Sequence, residues 1–218
     1  GIVRSLLTVF LAGYCYQTLS KYPFSKTHWI TAVLVALPMI ISGAWLVHAA
    51  GRFDNQYLQM SLTVIHQLAA AAWIGGIFQL VNLWILRQAE QVPDQLWPLM
   101  LRRFSKFGIA SVLLILASGV PIALQYIDTW NGLIGTGYGN LLIVKIMLLS
   151  LALGFAWLNK KAVAQYVVSA NDYVLKKRVP YYIEVESFVL ITLLFTAASL
   201  ASQPPAIDIP TLTASWQE

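Results

Sequence analysis

Six long apolar runs, at about residues 2–20, 28–50, 58–86, 105–126, 138–159 and 181–202, alternate with short polar connections. Each run is long enough to cross a bilayer as a helix, which takes about 20 apolar residues. The pattern predicts an all-α fold, a polytopic transmembrane bundle of about six spanning helices, forming one integral membrane domain over residues 1–218. The third run holds the stretch His66-Gln-Leu-Ala-Ala-Ala-Ala-Trp-Ile-Gly-Gly76. On a helix His66, Ala70, Trp73 and Ile77 share one face. Ala71/Gly75 and Ala72/Gly76 are small residues four apart, which let another helix backbone come close in lipid. An ionisable group inside a membrane is costly and by default a functional candidate, so His66 is the first residue to weigh.

Charge sets the expected orientation. Loops one, three and five hold eleven of the 14 basic residues: Lys21 and Lys26; Arg87, Arg102, Arg103 and Lys106; Lys160, Lys161, Lys176, Lys177 and Arg178. The positive-inside rule makes those loops cytoplasmic and turns both ends of the chain outward. The net charge of +5 therefore reads as topology and contact with anionic headgroups, not as a nucleic-acid footprint. Composition agrees: 58% of residues are hydrophobic and only 11% charged, against about 25% charged in a soluble domain. The single cysteine, Cys15, excludes an internal disulfide and a Cys-x-x-Cys redox or metal motif. Gly1 opens directly in apolar sequence, so the start is expected to be a boundary within a longer protein and not a signal peptide.

On this topology His66 lies about 12 Å below the outer end of its helix, and His48 sits near the outer end of the preceding one. His28 belongs to a cytoplasmic connection and carries little weight. Met60 lies above His66 on the same helix. A thioether beside imidazoles suits monovalent copper, whereas imidazoles alone also suit divalent copper or zinc. The candidate metal ligands are thus His66, His48 and Met60. Two further ionisable groups lie within apolar runs. Lys145 is about 10 Å below the outer end of the fifth helix, where Tyr138, Lys145, Ala152 and Asn159 recur every seven residues and follow one face. Lys145 is expected to pair with a polar group of the outer half. Glu186 lies in the inner half of the sixth helix, expected near the basic residues of loop three. Thr192, Thr196, Ser199 and Gln203 form a stripe expected to face the bundle.

Taken together, these pieces resemble the copper resistance protein D (CopD) family of bacterial membrane proteins. The resemblance rests on Val-His48-Ala; His66 with Trp73-Ile-Gly75-Gly76; Arg103-Phe104-Ser105; Ser118-Gly119; Tyr138-Gly139 followed by Leu141-Leu142 and Lys145; Glu186; and Pro204-Pro205-Ala206. It is densest over residues 103–206. Val47 departs from the family's usual Gly-His-Ala. The resemblance implies a transporter of copper ions, Cu+ or Cu2+, in the bacterial inner membrane, with no enzymatic activity. It also implies a periplasmic CopC-like copper-binding protein or fused domain as partner, which would suit an outward Gly1. Trp73, Lys145, Glu186 and Tyr138 are the polar residues it marks for transport or structure. Two other readings stay open: a b-type haem held by His48 and His66 as axial ligands, as in the distantly similar HemJ-type oxidases, and a membrane partner of CopC without a permeation path.

Overall fold

The computed structural model describes residues 26–43, 56–127, 129–169 and 173–208, with scattered positions between Leu6 and Gln17. Its described elements are helical: α1 (Lys26–Gly43), α2 (Gln56–Gln88), α3 (Leu96–Tyr126), the short α4 (Trp130–Gly135), α5 (Gly137–Ser169) and α6 (Val179–Ala201). A π-turn, Val174–Arg178, leads into α6, and a 3-10 turn, Ala206–Asp208, follows it. Four stretches, Gln56–Gln88, Leu96–Tyr126, Gly137–Tyr166 and Val174–Asp208, are long and apolar enough to cross a membrane. Ile30–Gly43 is apolar but shorter. Four spans are therefore described of the six expected; most of the first run and the end of the second lie outside the described residues.

The chain divides into two compact units, Gly1–Leu68 and Ala69–Glu218. In the first, α1 sets Gly43 against the Gln67 side chain. Pro38 sits inside α1, where it removes one backbone donor and frees the carbonyl of Leu34.

In the second unit the remainder of α2 packs with α3, α5 and α6 around a core that includes Trp73, Ile77, Trp97, Leu101, Ala152, Ile183 and Leu190. Many large apolar side chains point outward instead, among them Leu113, Leu124, Met147, Phe188 and Phe195. A helix apolar on all sides is a core helix or a membrane span, and these outward faces fit lipid.

The two ends of this unit are built differently. At the end carrying Arg87, Arg102, Arg103, Lys160, Lys161 and Lys176–Arg178, called here the basic end, Trp84 and Trp97 lie with ring centroids 5.0 Å apart. The Trp97 indole donates to the Leu175 carbonyl of the π-turn at 3.1 Å, so α3 and the start of α6 are tied by a buried hydrogen bond. Arg87 pairs with Asp94 at 2.7 Å across the α2–α3 turn. At the opposite end, Tyr126, Tyr138, Leu200 and Ala206 form a second, smaller core. Thr129 and Thr136 organise the chain there. The Thr129 hydroxyl accepts from Gly132 N at 3.0 Å and that of Thr136 from Gly139 N at 3.0 Å, satisfying donors that a helix start leaves unpaired. The Thr136 hydroxyl also donates to the Gly132 carbonyl at 2.6 Å. Gly139 must be glycine, because a Cβ there would collide with the backbone carbonyls of Gly132 and Leu133.

Candidate functional site

A cavity of about 260 Å³ lies among α2, α3, α5 and α6, towards the basic end. The volume far exceeds the roughly 30 Å³ share of one water molecule. Its walls are mostly apolar: Ile77 and Leu80 from α2, Leu101, Phe104 and Val112 from α3, Leu153 and Val163 from α5, Ile183 from α6. The α3 contribution follows from spacing, since Leu101, Phe104, Ser105, Gly108 and Val112 fall on one helical face. The α5 residues Leu153, Ala156, Asn159, Lys160 and Val163 do likewise.

Polar groups converge at one side. Glu186, fully buried, accepts a hydrogen bond from Asn159 Nδ2 to its Oε2 at 2.8 Å. The Trp73 indole stands beside the same carboxylate. Glu186 Oε1 and Asn159 Oδ1 are both buried and have no hydrogen-bond partner. Two unsatisfied acceptors, one of them on a carboxylate, are costly in a low-dielectric setting, and both residues line the cavity. The arrangement can therefore receive a donor-bearing or cationic group. Lys160 also lines the cavity and is exposed, and it forms no ion pair among the described residues.

The sequence-nominated residues fall into separate neighbourhoods. Trp73 and Glu186 come together. Tyr138 is buried at the opposite end, edge-on to Tyr126 with centroids 5.9 Å apart. Lys145, on α5, is partly buried and makes no hydrogen bond or ion pair among the described residues, so the outer-half partner expected for it is not seen there. Nor does Glu186 meet the basic residues of loop three; the Asn159 amide takes that role. Lys145 and Glu186 are not in contact. The α6 stripe needs correction at Thr192 and Ser199, whereas Gln203 is partly buried and lies against Gly137 of α5. Thr192 and Ser199 are exposed, and the hydroxyls of Thr192 and Thr196 donate to the Phe188 and Thr192 carbonyls at 3.0 and 2.9 Å. Satisfied on their own helix, they need no partner in the bundle.

In the first unit His66 and Met60 are partly buried. Both lie on the continuous helix α2, and six residues at 100° each set them about 120° apart around it, so they leave the helix in different directions. Gln59 and Thr63, buried, lie on the His66 side. His48 and the side chain of His28 lie outside the described residues. Among the described residues no cluster of three or more His, Cys, Asp or Glu forms a metal site. Sequence reading missed Asn159 and Lys160 as site residues. The signal was the seven-residue series ending at Asn159, which pointed into the bundle but named no partner.

Residues 98–200 match the copper resistance protein D (CopD) family. The chain carries a CopD-family region. This CopD region contains Phe104, Ser105, Asn159, Lys160 and Glu186 of the cavity, the Ser118-Gly119 and Tyr138-Gly139 pairs, and α3, α5 and α6 almost entire. The chain is also 29% identical over 147 residues to the copper transport protein CutJ of Bacillus subtilis (strain 168), a match covering 66% of this chain and 26% of that protein. The chain thus spans about a quarter of the length of this curated relative. No solved structure matches. With four apolar spans and a CopD region, the chain is a multi-pass membrane protein.

Within the CopD region the residues carrying the resemblance have legible physical roles. Phe104 fills the notch left by Gly76, where any Cβ would overlap its ring. Ser118 is buried, its hydroxyl donating to the Leu114 carbonyl at 2.6 Å. Tyr138-Gly139 builds the small core and its close backbone approach. Glu186 alone among them is charged and fully buried.

Proposed function

We propose that this chain is the membrane part of a CopD-type copper transporter, moving copper across a bacterial cytoplasmic membrane and not acting as an enzyme. The observation that carries this reading is the CopD match over residues 98–200, supported by the similarity to a protein named for copper transport. The basic end faces the cytoplasm by the positive-inside rule. Two further helices from the first two apolar runs complete six spans, and both chain ends face outward, where a CopC-like protein or domain delivers the metal. His66 supplies the first intramembrane ligand, with His48 its partner on the adjacent helix and Met60, water or the delivering protein completing the site. Two imidazoles rarely fill a copper coordination sphere.

The test is copper binding and uptake with the purified, reconstituted chain. Wild type binds copper and admits it into proteoliposomes. His66→Ala abolishes high-affinity binding, His48→Ala weakens it and His28→Ala leaves it intact. Wild-type stoichiometry and affinity in His66→Ala would sink the histidine site. A Soret band in the purified protein would replace copper ligation with haem ligation, and binding without uptake would reduce the chain to a partner of CopC.

A further inference from the structure

The cavity beside Glu186 has a mouth, and its position limits what can enter. Among its lining residues, Ile109 and Leu113 of α3 and Trp157 and Lys160 of α5 are exposed. The opening therefore runs sideways between α3 and α5, on an apolar flank that fits lipid, at the level where α5 passes from Trp157 to the basic pair Lys160-Lys161. The Lys161 ammonium sits over the Trp157 ring at 5.2 Å, leaving Lys160 to face the mouth. Inside wait the unpartnered oxygens Glu186 Oε1 and Asn159 Oδ1.

We infer that this cavity binds the headgroup of an aminophospholipid, a primary ammonium held by Glu186 and Asn159 and its phosphodiester by Lys160. Three observations favour that chemistry. Two buried oxygens without partners, one of them on a carboxyl group that a bound cation would hold ionised, call for a group with several N–H donors, and a primary ammonium carries three. Lys160 at the rim offers positive charge where the phosphate, two carbons from the ammonium, would lie. The space is too large for a bare ion or one water and below the roughly 300–1,000 Å³ of pockets that enclose a drug-sized molecule. It suits a headgroup whose acyl chains stay outside, along Ile109, Leu113 and Trp157. Copper is a poor occupant, because a carboxylate and an amide oxygen are hard ligands. The inference rests on the membrane location and not on the histidine site.

Native mass spectrometry of the full chain, released from nanodiscs of equal phosphatidylethanolamine, phosphatidylcholine and phosphatidylglycerol, tests it. Phosphatidylcholine carries the same charges but no N–H donor, and phosphatidylglycerol has the phosphate without the ammonium. Wild type retains phosphatidylethanolamine over phosphatidylcholine by about tenfold, the size expected of charge-assisted hydrogen bonds. Glu186→Gln brings that ratio close to one. Lys160→Met, at an exposed position that does not endanger folding, lowers retention of both lipids and leaves their ratio unchanged. Equal retention of the two lipids by wild type, preference for phosphatidylglycerol, no retained phospholipid, or an undiminished ratio in folded Glu186→Gln would each overturn the assignment. Because the readout is retained lipid, failure of copper binding in His66→Ala leaves it untouched.

Discussion

The two cores of the second unit solve opposite problems. The small one, around Tyr126, Tyr138, Leu200 and Ala206, is closed by backbone: threonine caps satisfy the helix starts, and Gly139 lets α5 press against the carbonyls of α4. The large one, towards the basic end, is closed by side chains and is incomplete, with a cavity and two buried oxygens left without partners. Packing defects and unsatisfied polar atoms cost stability. A fold that keeps them at one end while perfecting the other has separated its scaffold from its binding end.

That contrast breaks first at Gly139. Gly139→Val should destabilise the protein by about 3 kcal/mol, the upper range of overpacking against atoms that cannot yield, measured as the unfolding midpoint in detergent. Gly75→Val, where nothing lies within 4 Å of an added Cβ, serves as the neutral control. A tolerant Gly139 would mean that the small core is not rigid. The basic end should respond next through Trp97→Phe, which keeps an aromatic ring but removes the indole N–H and part of its buried volume and orphans the Leu175 carbonyl, at a cost of about 2 kcal/mol. Tryptic cleavage at the Lys176-Lys177-Arg178 turn should accelerate in parallel; unchanged rates would show that the indole bond does not hold the turn.

The third prediction reverses sign. Replacing Glu186 and Asn159 together by leucine should raise stability by about 1 kcal/mol, because well-packed apolar residues often improve on a buried charged group. The same variant should lose lipid discrimination. If it is destabilised instead, the polar pair belongs to the scaffold and the contrast between the two ends disappears. Ser118→Ala gives the smallest effect, below about 0.5 kcal/mol, the scale of a hydroxyl that donates to the Leu114 carbonyl of the preceding turn; a larger loss would show that this hydroxyl helps to hold the bundle.

How much of this was readable in the sequence depended on whether a feature belongs to one helix or to two. Apolar runs and the positions 138, 145, 152 and 159 follow from the period of a single helix, and Tyr138 and Ala152 are indeed buried. Small-residue spacing marked Gly75 and Gly76 for close approach of a helix backbone, but the space at Gly76 is taken by the Phe104 ring and nothing lies within 4 Å of a Cβ at Gly75. The pairing of Asn159 with Glu186 depends on the register between α5 and α6, which no spacing within either helix states. The threonine stripe misled because hydroxyls can satisfy themselves on their own backbone, so polarity alone does not tell inside from outside in lipid. Met60 was placed over His66 by height; the angle around the helix separates them.

The meeting of Phe104 with Gly76 also constrains motion. A ring seated where only hydrogen fits acts as a detent between α2 and α3: a slide of one residue, about 1.5 Å, would drive it against the side chain of a neighbouring position. Sliding of these two helices would therefore require the Phe104 ring to turn out of the notch. The same ring also lines the cavity, so the contact that seats α3 on α2 is at once part of the wall that a bound molecule would touch.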